Sequence, residues 1–134
     1  MKYFIFSIDD GTIYDRKVIE IFNKYHIKGT FNLNSGLSDF VWYLNGRPIE
    51  RLDFKNYRSI YDGHEVASHS STHPHLTMCP GEVIVKEVGE DIDNLERIFN
   101  RPVIHLLSHL KIQMKDASIS SSTFMISPLF AYLK

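Results

Sequence analysis

Tyr3-Phe4-Ile5-Phe6-Ser7-Ile8-Asp9-Asp10-Gly11 is an apolar run stopped by two carboxylates and a glycine. The run is too short for the apolar stretch of a secretion signal or for a membrane span. It reads as a buried strand over residues 3–8, with Gly11 allowing a sharp turn at its carboxyl end. Val18, Ile21, Phe22 and Tyr25 then fall at i, i+3, i+4 and i+7, which predicts a helix with one apolar face, capped by Asp15 and stopped by Gly29. Residues 29–33 read as a second strand. Strand, helix and strand in that order predict a βαβ unit with parallel strands and a right-handed crossover.

Working outward, Val41–Leu44 and Arg47–Glu50 predict a hairpin turning at Asn45-Gly46, with Trp42 and Tyr43 expected to pack on it. A short helix is expected over 53–61 and a third strand over 64–68. Val88, Ile92, Leu95 and Phe99 mark the apolar face of a long helix over roughly 80–99, with Pro80 near its first turn. Residues 101–104 would open a fourth strand. No repeat of solenoid period is present.

The 134 residues fit one domain, and 43% apolar with 23% charged residues is the balance of a globular protein. A net charge of -1 gives no electrostatic reason to expect nucleic acid or an anionic membrane as partner. The single cysteine, Cys79, cannot form an internal disulfide, and the chain as written is expected to be cytoplasmic.

Two constellations carry chemistry. Asp9-Asp10-Gly11 places carboxylates at the end of a strand, where α/β sheets put their active sites. Adjacent carboxylates repel, and a divalent cation would relieve them. His69-Ser70-Ser71-Thr72-His73-Pro74-His75 holds three histidines, of which His69 and His73 at i and i+4 would share a helical face and reach one metal. Two imidazoles and one carboxylate make a three-ligand site with open positions, leaving the second carboxylate free to act as a base on bound water.

Ser7-Ile8-Asp9-Asp10-Gly11 resembles the first motif, T-F-D-D-G, of the polysaccharide deacetylases with the NodB-type domain, carbohydrate esterase family 4. His69-Ser70-Ser71-Thr72-His73-Pro74 resembles their second, H-[ST]-x-x-H-P, and the contexts at Lys28-Gly29-Thr30-Phe31 and Gly63–Ser68 fit as well. The resemblance runs from residue 1 to about 104. It implies an α/β fold, the N-terminal part of a distorted (β/α) barrel, here incomplete. It implies Asp9 as catalytic base and Asp10, His69 and His73 as ligands of one divalent metal; zinc is the expected ion, with cobalt, nickel or iron as alternatives. The implied reaction is hydrolysis of N- or O-acetyl groups from a carbohydrate.

The family's third motif, R-x-P-[YF]-G, supplies an arginine that positions the base and an N–H for the oxyanion. The corresponding segment here reads His105-Leu106-Leu107-Ser108-His109-Leu110-Lys111. Residues 105–134 contain one of the 16 acidic residues, Asp116, and no clear period. Back-translation of Leu106–His109 in another phase can give Phe-Ala-Phe-Pro, like the strand that leads into that motif, so residues 105–134 are read as a tail shifted out of frame. The alternative reading is therefore an inactive metal-binding fragment whose open barrel edge invites self-association. Asp10-Gly11-Thr12-Ile13 also resembles the haloacid-dehalogenase phosphatases, but their nucleophilic aspartate would fall on Ile8 and the His69/His73 pair would go unexplained, which argues against that chemistry.

Overall fold

The computed structural model describes residues 5–105. At its centre β1 (Ser7–Asp9), β2 (Thr30–Leu33), β5 (Glu65–Ser68) and β6 (Ile104–His105) form one sheet in the order β1-β2-β5-β6. Every pairing is parallel, with Asp9 opposite Asn32 and Leu33 opposite Ser68. The carboxyl ends of β1, β2 and β5 therefore lie along one margin, and Asp10, Asn34 and His69 leave the sheet side by side. The sheet does not close among the described residues, so the architecture is an α/β partial barrel. The expected tail, 105–134, lies almost wholly outside the described residues.

Helix α1 (Asp15–Lys24) joins β1 to β2, as the βαβ pattern predicts. Its buried positions are Asp15, Ile19 and Phe22, whereas Ile21 and Tyr25 are exposed, so the apolar face is rotated from the expected one. The cap differs too. Tyr14 is the N-cap, and the Asp15 N–H is already bonded to the Thr12 carbonyl at 3.0 Å. The Asp15 carboxyl turns instead into the core, where it accepts a bond from the Tyr61 hydroxyl at 2.8 Å.

Strands β3 (Val41–Leu44) and β4 (Arg47–Glu50) form the expected hairpin, with Asn45 and Gly46 at positive φ as a type I′ turn needs. Across it Trp42 stands opposite Ile49 and Tyr43 opposite Pro48, and β3 is exposed throughout, Tyr43 at 71%. Among the described residues the ribbon's strands pair with each other alone, and it is tied down at its root, where Ile13 N–H donates to the Glu50 carbonyl at 3.0 Å and Leu52 N–H to that of Gly11 at 2.9 Å.

Helix α2 (Phe54–Tyr57) follows, capped by Asp53, whose side chain accepts from the Lys55 and Asn56 N–H groups. Helix α3 (Gly81–Phe99) packs along β5 and ends at Asn100 in the left-handed conformation. Phe31, Leu33, Phe54, Tyr61, Val66 and Leu95 build the core between these elements. Among the described residues no helix is long and apolar enough to cross a membrane.

Candidate metal centre

The turn after β1 is fixed by close packing. Asp10 N–H donates to the Asn32 carbonyl at 2.9 Å, and the backbone then swings to positive φ at Asp10 (83°) and Gly11 (64°). Only a glycine fits the second position, since a Cβ there would lie 2.5 Å from Phe54 Cζ. Asp9 is exposed and aimed by its neighbour in register: Asn32, fully buried, donates from Nδ2 to Asp9 Oδ1 at 2.6 Å and to Ser7 Oγ at 2.8 Å.

His69 and His73 lie on a loop, not on the expected helix. Pro74 disfavours helical backbone at His73, and Ser70 (φ 67°) and His73 (φ 56°) are both left-handed. Two carboxylates one turn apart on α3 hold this loop. Asp91, fully buried, accepts from Ser68 Oγ at 2.6 Å, His69 N–H at 3.1 Å and Ser35 N–H at 2.6 Å. Burial raises the Asp91 pKa, and these bonds oppose the rise. Glu87 accepts from the Thr72 N–H and Oγ1, each at 2.8 Å, and its backbone carbonyl accepts from Ser71 N–H at 3.1 Å.

The two turns bring three candidate ligands together. His73 Nε2 lies 3.7 Å and His69 Nε2 4.0 Å from Asp10 Oδ1, and one ligand atom from each residue falls within 4.8 Å of the others. Zinc bonds of about 2.0–2.2 Å in a tetrahedron put ligand atoms roughly 3.3 Å apart, so the three side chains would draw closer to share one ion. The donor set fits a divalent ion. The His69 side chain is buried, while those of Asp10 and His73 are each 37% exposed, so the group opens to solvent on one side. Of the other histidines, His64 is buried at the far end of β5, accepts from Gly29 N–H at Nδ1 and faces Asn23 at Nε2. Burial lowers its pKa, with the charges of Lys28 and Arg101 adding to the effect. His26 and His75 are exposed, and neither joins the group.

Arg51 went unnoticed in the sequence. Its buried guanidinium donates to the Asp10 carbonyl and lies 3.2 Å from Asp10 Oδ1. Relief of the Asp9/Asp10 repulsion therefore does not by itself require a metal, because a fixed cation already stands there. A lone arginine after a hairpin carries no signal, and its partners are 17 and 41 residues away.

The profile of the polysaccharide deacetylase family matches residues 1–108, and the chain belongs to that family. No curated protein matches it. Among solved structures it is similar to the Streptococcus pyogenes deacetylase PplD in complex with acetate, at 24% identity and a TM-score of 0.63 over 75% of this chain and 42% of that one. It is also similar to BC0361, a polysaccharide deacetylase from Bacillus cereus, at 20% identity and a TM-score of 0.60 over 75% of this chain and 31% of that one. The peptidoglycan deacetylase PdaC from Bacillus subtilis matches at 21% identity and a TM-score of 0.54 over 74% of this chain and 45% of that one. At these identities the likeness shows the fold, and the chain spans less than half the length of each.

Proposed function

We propose that this protein removes acetyl groups from a carbohydrate polymer, with Asp10, His69 and His73 holding one divalent metal, zinc first among the candidates, and Asp9 acting as base. The observation that carries this reading is the convergence of Asp10, His69 and His73 beside an exposed carboxylate already aimed by Asn32. A divalent ion so held would supply polarisation of the acetyl carbonyl and acidify a nearby water. Asp9 would accept the proton of that water through the carboxylate oxygen not bonded to Asn32. Its exposure lets substrate and water reach it, while the buried Asn32 amide keeps it from turning away. His69 would anchor the ion from the protein side and His73 from the solvent side.

Asp9→Asn is expected to lower acetate release from an acetylated chito-oligosaccharide by about 10²- to 10⁴-fold while leaving zinc content unchanged. Asp10→Ala or His73→Ala should lose the metal as well. A wild-type chain that binds no divalent metal would sink the assignment. Bound zinc without acetate release would favour the second reading, a metal-binding chain that does not turn over. That reading is motivated by residues 105–111, which do not spell the family's third motif.

A further inference from the structure

Arg51 and Asn34 form a buried bridge between the two turns that carry the candidate ligands. The Arg51 side chain is 6% exposed, and its Nη1 donates to the Asp10 carbonyl and to Asn34 Oδ1, the latter at 3.0 Å. Asn34 is fully buried directly after β2, and its Nδ2 donates to the carbonyls of His69 at 2.7 Å and Ser70 at 2.8 Å. The path runs without a gap from Asp10 through Arg51 and Asn34 to His69. Both polar ends of the Asn34 amide are used, which fixes its orientation.

We propose that Arg51 and Asn34 are positioning residues that set the spacing of Asp10 and His69 for a divalent metal. Where the bonds land is the argument. Asp10 and Ser70 are non-glycine residues held at positive φ, and the bridge grips the carbonyl of each. Such backbone persists only where surrounding contacts over-determine it. A guanidinium present merely to balance charge would need the Asp10 carboxylate alone, yet Arg51 engages the Asp10 main chain and, through Asn34, the opposite turn. Its charge is burial-competent for the same reason, since Asp10 Oδ1 stands 3.2 Å away. The ligands are thereby held near one another before any ion arrives, as outer groups do when they orient a metal shell.

The inference rests on the metal reading above, and its test separates the two. Zinc affinity of the full chain is measured by competition with a chromophoric chelator, and cobalt(II) absorption reports the geometry of the bound ion. Arg51→Lys keeps the cation but cannot span both acceptors, and Asn34→Asp keeps the acceptor for Arg51 but loses the donors to His69 and Ser70. Each is expected to weaken zinc binding by about 10-fold or more and to alter the cobalt spectrum, with the double variant little worse than either alone. Wild-type affinity in both variants, or tighter binding by Arg51→Lys, would overturn the bridge and leave Arg51 a competing counter-charge. Should the wild type bind neither ion, the metal reading fails. The bridge is then judged on a crystal structure of Asn34→Asp, where an Asp10 Oδ1 to His69 Nε2 separation still at 4.0 Å counts against it and a wider one supports it.

Discussion

Asp15 carries a carboxyl group into the core, 2% exposed, with the Tyr61 hydroxyl as its hydrogen-bond donor at 2.8 Å. Burial pushes its pKa up to about 7 from an ordinary 3.8; the Tyr61 bond and the Arg51 charge oppose the rise, and the Asp10 charge adds to it. The Tyr61 phenol is itself pushed upward by burial, so it stays protonated and keeps donating. Between pH 3.8 and about 7 the folded chain then binds more protons here than the unfolded chain, and stability falls as pH rises through that window. Asp15→Asn keeps an acceptor for Tyr61 and removes the cost of ionising in the core. Urea melts should show the variant more stable than wild type by about 1–2 kcal/mol at pH 8, with the gain gone near pH 4. A loss of similar size at both pH values would mean that packing, not ionisation, governs the site. The same residue shows what a sequence conceals: an aspartate before an apolar stripe reads as a helix cap, and its partner Tyr61 lies 46 residues away.

At the scale of elements, α3 reaches the candidate centre without supplying a ligand. Glu87 and Asp91 stand four residues apart, share a helix face, and take hydrogen bonds from the segment 68–72. Asp91 faces only donors: Ser35 N–H, Ser68 Oγ–H and His69 N–H. Asp91→Asn would turn an amide N–H₂ toward at least one of them. The expected loss is about 1–3 kcal/mol of stability and about 10-fold in zinc affinity, read by thermal melts and metal competition. A lowered melting temperature with unchanged affinity would confine Asp91 to holding the fold. The strand-helix-strand order, the Asn45-Gly46 hairpin and the extent of α3 were legible because hydrophobic period and turn chemistry are local. The geometry of the histidine pair was not. Spacing of i and i+4 suggested a helix, whereas Pro74, two left-handed residues and two distant carboxylates shape a loop that brings the same pair to Asp10. The phase of α1 was missed because its buried stripe begins with a charged residue, Asp15.

For the molecule as a whole, the described sheet ends at β1 on one side and β6 on the other. Thr30 N–H donates to the Phe6 carbonyl and Asp10 N–H to the Asn32 carbonyl, so the even-numbered residues face β2 and the main-chain groups of Ser7 and Asp9 face outward. A second chain could extend the sheet there. Ile5 and Phe6, 66% and 42% exposed, add apolar surface beside that edge. A rival surface exists on the hairpin, where Phe40, Val41, Tyr43 and Leu44 are each at least 45% exposed. A strand added at β1 would continue a four-stranded sheet and bury the neighbouring apolar side chains, whereas the hairpin offers only a two-stranded ribbon. We therefore propose self-association through β1. Sedimentation velocity should show species that grow with concentration, and Ile5→Lys, which puts a charge beside the edge, should shift them toward monomer. Val41→Lys on the hairpin should leave the distribution as it was. The reverse pattern would move the contact to the hairpin, and a wild-type chain that stays monomeric at all concentrations would remove the edge from consideration.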